Sequence, residues 1–145
     1  MDAPTYARAK GFLARGRAKQ ALAALDAVQG DALADRALLL RGDAHLALGD
    51  NAKAKVAYTT ALELAQLPSV SRRAARGLLA ALEHLGDAAA ELLLIDALRA
   101  AGSVERPADL EWNRARALSR LGRTREAVEA AWRITLDHPT TPAAK

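Results

Sequence analysis

The chain contains no cysteine, which excludes a disulfide framework and a thiolate metal site. Aromatic residues make up only 3% of it. Val, Ile and Thr are sparse as well, so the side chains that favour strands are in short supply. No run of about 18 apolar residues occurs, which leaves no candidate for a membrane-spanning helix. The first residues, Met1-Asp2-Ala3-Pro4, lack the basic start and apolar stretch of a secretory leader. The compartment stays open between the cytoplasm and, if a leader has been removed, the periplasm or cell envelope. A strong excess of one charge is also missing. Residues 1–72 carry 10 basic and 7 acidic side chains, and residues 73–145 carry 11 and 10. Mixed charge of this kind is the signature of solvated helix surface.

What the chain has in quantity is alanine, about a quarter of its 145 residues. Alanine has the highest helix propensity, and its small side chain lets helices approach closely. The composition therefore predicts an all-α protein with thin, tightly spaced layers. Short glycine turns recur at Gly16, Gly49, Gly86 and Gly122, with spacings of 33, 37 and 36 residues. Glycine commonly sits just past a helix end, where the backbone turns left-handed, and a short break there lets two antiparallel helices pack as a hairpin. Helical periodicity flanks each turn. After Gly49 it is carried by Ala54, Ala57, Tyr58, Ala61, Leu62 and Leu64, and after Gly122 by Ala127, Val128, Ala131, Trp132 and Ile134. The pattern predicts eight helices near 4–14, 17–29, 32–48, 51–67, 70–85, 88–101, 107–121 and 124–137. Breakers separate the hairpins. They are Gly30-Asp31, Pro68-Ser69 with Ser69 or Ser71 as a helix cap, and Gly102-Ser103, with Pro107 suited to the next first turn. No long Pro/Ser linker appears, so one domain over 1–145 is expected, with repeats at about 4–30, 32–67, 70–102 and 107–139.

These residues resemble tetratricopeptide repeats. The stretch Gly42-Asp43-Ala44-His45-Leu46-Ala47-Leu48-Gly49-Asp50, continued through Ala54, Tyr58 and Ala61, fits that pattern closely. The fourth copy matches through Ala115, Leu118, Gly122, Ala127, Ala131, Ile134 and Pro139. The first matches through Ala9, Phe12, Gly16, Ala21, Leu25 and Val28. The third fits at Leu79, Leu82, Gly86, Ile95 and Leu98, but Glu91 falls where a small residue is usual. Arg8, Arg41 and Arg114 occupy a first-helix position that is typically leucine in the family. The resemblance implies a right-handed α-solenoid of four hairpins, with the first helices lining a concave groove. It also implies a scaffold that binds a protein or peptide there.

Mapping the exposed stripe of each first helix gives the expected partner-binding residues. They are Tyr6 and Lys10 with Leu13, then Leu39 and Asp43 with Leu46. Arg73, Arg76 and His84 follow, with Ala80 and Glu83, and then Trp112, Asn113, Arg116 and Arg120, with Asp109. The late half of this stripe is rich in arginine, whose planar fork suits carboxylates. The same arginines also read as a solvated face paired internally with Glu83, Asp109 or Glu111. Trp112 is open between a binding anchor and inter-repeat packing, and Trp132 reads as packing or as a surface for a further neighbour. The Lys and Asn pattern with which chaperone-binding relatives clamp a C-terminal carboxylate is not reproduced.

No catalytic residue, cofactor or metal site is expected. His45, His84 and His138 are scattered over three repeats without i, i+4 pairing, and the isolated glycines make no phosphate-binding loop. Nucleic acid is not an expected partner. The run Arg114, Arg116, Arg120, Arg123, Arg125 points in several directions around a helix. The ending His138-Pro139-Thr140-Thr141-Pro142-Ala143 resembles repeat junctions in bacterial cell-envelope proteins such as soluble lytic transglycosylases. The alternative is therefore a non-catalytic helical part of a larger envelope enzyme or assembly factor. The Ala/Arg-rich composition fits a bacterial source. Without a polar capping helix the ends are expected to self-associate, or the chain to be a fragment.

Overall fold

The structure, a computed structural model, describes residues 3–26, 34–102 and 107–137. Among these residues every element is an α-helix. The eight helices are α1 (Ala3–Ala14), α2 (Ala18–Asp26), α3 (Ala34–Ala47), α4 (Asn51–Leu64), α5 (Pro68–Leu85), α6 (Ala88–Ala101), α7 (Pro107–Arg120) and α8 (Thr124–Asp137). The expected Gly30-Asp31 break lies outside the described residues. So do Ser103 of the expected Gly102-Ser103 break and the junction at 138–145 on which the envelope-protein alternative rests.

The hairpin turns follow from one local device. Gly49 ends α3 at φ 79°, where a Cβ would clash with the backbone. The turn is sealed by Asp50 N–H donating to the His45 carbonyl at 2.8 Å and Gly49 N–H to that of Leu46 at 3.1 Å, the paired bonds of a Schellman motif. The same two bonds recur where Arg17 reaches Phe12 and where Arg123 reaches Leu118. One boundary differs from expectation. Helix α4 stops at Leu64, three residues early, and α5 begins at Pro68. A proline within a continued helix would clash with the carbonyl four residues back, that of Leu64, whereas it suits a first helical position. Ser69 and Ser71 consequently fall inside the first turn of α5 and are not its cap.

By internal contacts the chain divides into two compact units, Met1–Leu85 and Gly86–Lys145. In the first, α1, α3 and α5 lie side by side in one layer. Helix α2 packs on α1 and α3, and α4 packs on α3 and α5. Alanine permits this closeness, since Ala9, Ala21, Ala44, Ala54, Ala61, Ala74 and Ala81 are all fully buried. The large residues between them are few. Leu25 and Leu40 close the core against Ala9, with Tyr6 and Leu13 packed on its edge. The Tyr58 ring lies between Gly42 of α3 and Gly77 of α5. A Cβ at Gly42 would stand 2.6 Å from that ring, and one at Gly77 closer still. In the second unit α7 packs on α6 and α8, and Leu118 joins Leu92, Ala115, Ala117, Ala127 and Ala130 in a core.

In an ordinary helix position Gly→Ala is worth about 1 kcal/mol of added stability. Gly77→Ala should do the reverse, costing about 1 to 3 kcal/mol through forced repacking, and Tyr58→Leu in the same chain should recover part of the loss. Urea unfolding reads both, and a raised midpoint for Gly77→Ala alone would contradict the ring's placement.

Candidate interaction faces

The two units carry separate sets of the expected partner-binding residues. In the first unit the layer formed by α1, α3 and α5 bears Tyr6, Lys10, Asp43, Arg73, Arg76 and His84. Lys10, Arg76 and His84 are exposed, and Tyr6 is half-buried against the core. Leu39 corrects the expectation. It is only 3% exposed, because α3 turns that side toward its neighbours, so it belongs to the core and offers nothing to a partner.

Asp43 and Arg73 are brought together directly. Arg73 Nη2 donates to Asp43 Oδ2 at 2.7 Å, and the Tyr58 hydroxyl donates to Asp43 Oδ1. One carboxylate thus ties α3, α4 and α5 at a single point. Burial first, and then the bond to Asp43, hold the Tyr58 phenol well above its usual range, so it stays a donor at any physiological pH. Sequence reading missed this role for Tyr58, taking it only as packing. The signal available was the pair of glycines, 42 and 77, whose spacing makes room for a ring.

On the far side of α3, His45 is half-buried, and its Nδ1 has no hydrogen-bond partner among the described residues. Burial, with smaller contributions from Lys53 and Arg41, pushes its pKa below the usual 6.5, while Asp50 and Asp26 oppose this.

In the second unit Asn113, Arg116 and Arg120 lie on α7. Arg116 Nη2 donates to Asn113 Oδ1 at 2.6 Å. Arg120 does not pair with Glu83, Asp109 or Glu111. Its guanidinium meets Glu91 of α6 at 3.2 Å, and Glu91 is only 5% exposed. The residue that departs from the family's small side chain is therefore a buried carboxylate held by Arg120. Glu111 pairs instead with Arg99 at 2.5 Å. Trp112 is 41% exposed on α7, and Trp132 is 63% exposed on α8. Trp132 is thus no core residue among the described ones.

No group of three or more His, Cys, Asp or Glu placed to hold a metal occurs among the described residues. No described helix is long and apolar enough to cross a membrane.

Two expectations follow from these environments. Arg120→Ala removes a charged partner from the buried Glu91 carboxylate, and should cost about 2 to 3 kcal/mol, below the usual range for breaking a buried pair because Arg120 itself is half in solvent and Glu91 keeps a further contact. Adding Glu91→Ala should restore most of that, and chemical denaturation of the two variants measures it; equal losses would contradict the pairing. For His45, the unfolded chain takes up a proton near pH 6.5, while the folded chain does so only at lower pH. Stability is therefore complete above about pH 6.5 and declines as pH falls below it. His45→Leu should flatten melting temperature against pH in that window, whereas an unchanged slope would remove His45 as its source.

Comparison with curated proteins finds no match. The model of the tetratricopeptide repeat-like domain, in contrast, matches residues 9–86. That stretch runs from the middle of α1 to the end of α5, and it covers more than half of the chain. The chain belongs to the tetratricopeptide repeat-like domain family.

Proposed function

We propose that the chain is a protein-binding scaffold that engages a protein or peptide segment through its first helices. The observation that carries the reading is Trp112. A large aromatic ring stands in solvent on α7, one helical turn from Arg116. Tryptophan and arginine are the side chains most often found at the energetic centre of protein interfaces, and residues four apart share a helix face. Membership of a helical-repeat family supports protein partners in general. The choice of face rests on these residues.

Two of the remaining candidates are already engaged by the fold. Arg73 and Arg120 hold carboxylates of their own chain, so releasing them to a ligand would cost the internal contact. On α7 the exposed Trp112 and Arg116 form the contact set in this reading, with Asn113 accepting from the Arg116 guanidinium; Lys10, Arg76 and His84 are exposed on the first unit and form a separate set. The chemistry that α7 offers is an aromatic anchor with a guanidinium one turn away, which fits a segment carrying an apolar side chain and a carboxylate. The reading has no catalytic step.

Partner capture from a bacterial lysate should be lost in Trp112→Ala/Arg116→Ala and kept in Trp132→Ala, with circular dichroism showing equal helicity in all three. Arg120 is left intact, because its loss would destabilise the buried Glu91 and mimic a binding defect. Capture lost with Trp132→Ala and kept without Trp112 would move the interface to α8 and overturn the assignment.

A further inference from the structure

Two of the ion pairs between hairpins share a register. Arg41 lies eight residues before the turn glycine Gly49, and its Nη1 meets Asp26 at 2.7 Å. Its Nη2 also donates to the Leu25 carbonyl at 3.1 Å, which places a cation at the negative end of α2. Arg114 lies eight before Gly122, and its Nε donates to Asp96 at 2.8 Å. Asp26 and Asp96 occupy one position, ten residues after Gly16 and Gly86 respectively. Twice, therefore, a first-helix arginine closes on a carboxylate from the second helix of the preceding hairpin.

Arg8 is the third arginine in that register, eight before Gly16. It is exposed, lies 5.7 Å from the centre of the Phe12 ring, and meets no carboxylate among the described residues. The face around it corresponds to the face that α3 buries on α2. There Ala44 is fully buried, while Gly11, its equivalent on α1, has open space where a side chain would stand. Small Ala7 and Gly11 leave room for the close approach of a helix, and Arg15, two turns from Arg8, flanks it.

Charge points the same way. Residues 3–25 carry Arg8, Lys10, Arg15, Arg17 and Lys19 with no Asp or Glu. All five are exposed, and none has a carboxylate partner among the described residues. In the second unit Arg99, Arg114, Arg120, Arg123 and Arg125 each face one. Positive charge concentrated on one hairpin draws an anionic partner and speeds its association.

We propose that this open face of α1 docks a helix of a partner protein whose contact side carries carboxylates, one of them closing on Arg8 as Asp26 closes on Arg41. The inference rests on the reading of the chain as a protein-binding scaffold, but uses a different face. A second copy fits this register poorly, because the position of Asp26 and Asp96 is held by Trp132 in the last hairpin. Nucleic acid would use exposed rings to stack on, whereas Tyr6 packs on the core.

The test uses the full chain and a fluorescein-labelled helical peptide of about 18 residues, with Asp and Leu on one face and Ala elsewhere. A scrambled peptide of equal composition and a single-stranded oligonucleotide of like charge serve as competitors. Anisotropy should show binding of the patterned peptide, weakened about fivefold or more by Arg8→Ala. Arg8→Lys, which keeps the charge but not the fork, should fall between, and Arg133→Ala at an exposed position of α8 should leave binding unchanged. Absence of binding, an Arg8→Ala titration equal to wild type, or equal binding of the scrambled peptide or the oligonucleotide overturns the proposal. So does sedimentation showing that wild type alone forms dimers that Arg8→Ala dissolves, since the occupant is then a second copy. None of these titrations depends on Trp112 or Arg116, so a failure here is distinct from a failure of partner capture.

Discussion

The Tyr58 ring lies against two glycines, and the close spacing of three helices depends on it. Gly42 and Gly77 remove the side chains that would otherwise hold α3 and α5 away from α4. Around that point alanine does the same work in weaker form. The layers are thin because little stands between the helices, and one large ring fills the volume that the small residues leave. Close packing of this kind tolerates little added volume. It also carries the polar contact above it, since the ring's position aims the hydroxyl at Asp43, which in turn holds Arg73.

Ion pairs then set which hairpin meets which. Exposed pairs such as Arg41 with Asp26 contribute little to stability, about 0 to 1 kcal/mol. Their effect is on register, because an arginine opposite any other residue of the neighbouring helix would lose both its carboxylate and, for Arg41, the helix-end carbonyl. Glu91 with Arg120 is a different case. A buried carboxylate is costly alone, so Arg120 is bound to the fold before it is available to any ligand. The arginine-rich stripe is thereby divided into structural members and members that remain open to solvent.

Much of the fold was legible in the sequence. The four turn glycines, the alanine content and the helical periodicity are local signals, and α6 and α8 have the expected ends. The misplaced end was that of α4, where the reach of Pro68 back to the Leu64 carbonyl outweighed the apolar pattern continuing to Leu67. The candidate site was legible less well. Leu39 was expected on an exposed stripe from its spacing, but spacing identifies a face and not what covers it. Glu91 was visible as a departure from the family pattern, and its partner, 29 residues away, was not.

The sequence by itself determined that the chain is helical, where each hairpin turns, and the family to which it belongs, because helix propensity, glycine conformation and hydrophobic period act over a few residues. Only the tertiary structure decided that Tyr58 threads two glycines, that Arg73 and Arg120 are already occupied, and that Arg8 is the unpaired member of a repeated clamp. Those outcomes depend on which side chains from distant helices arrive at one point, and Coulomb attraction and burial act on that distance and not on separation along the chain.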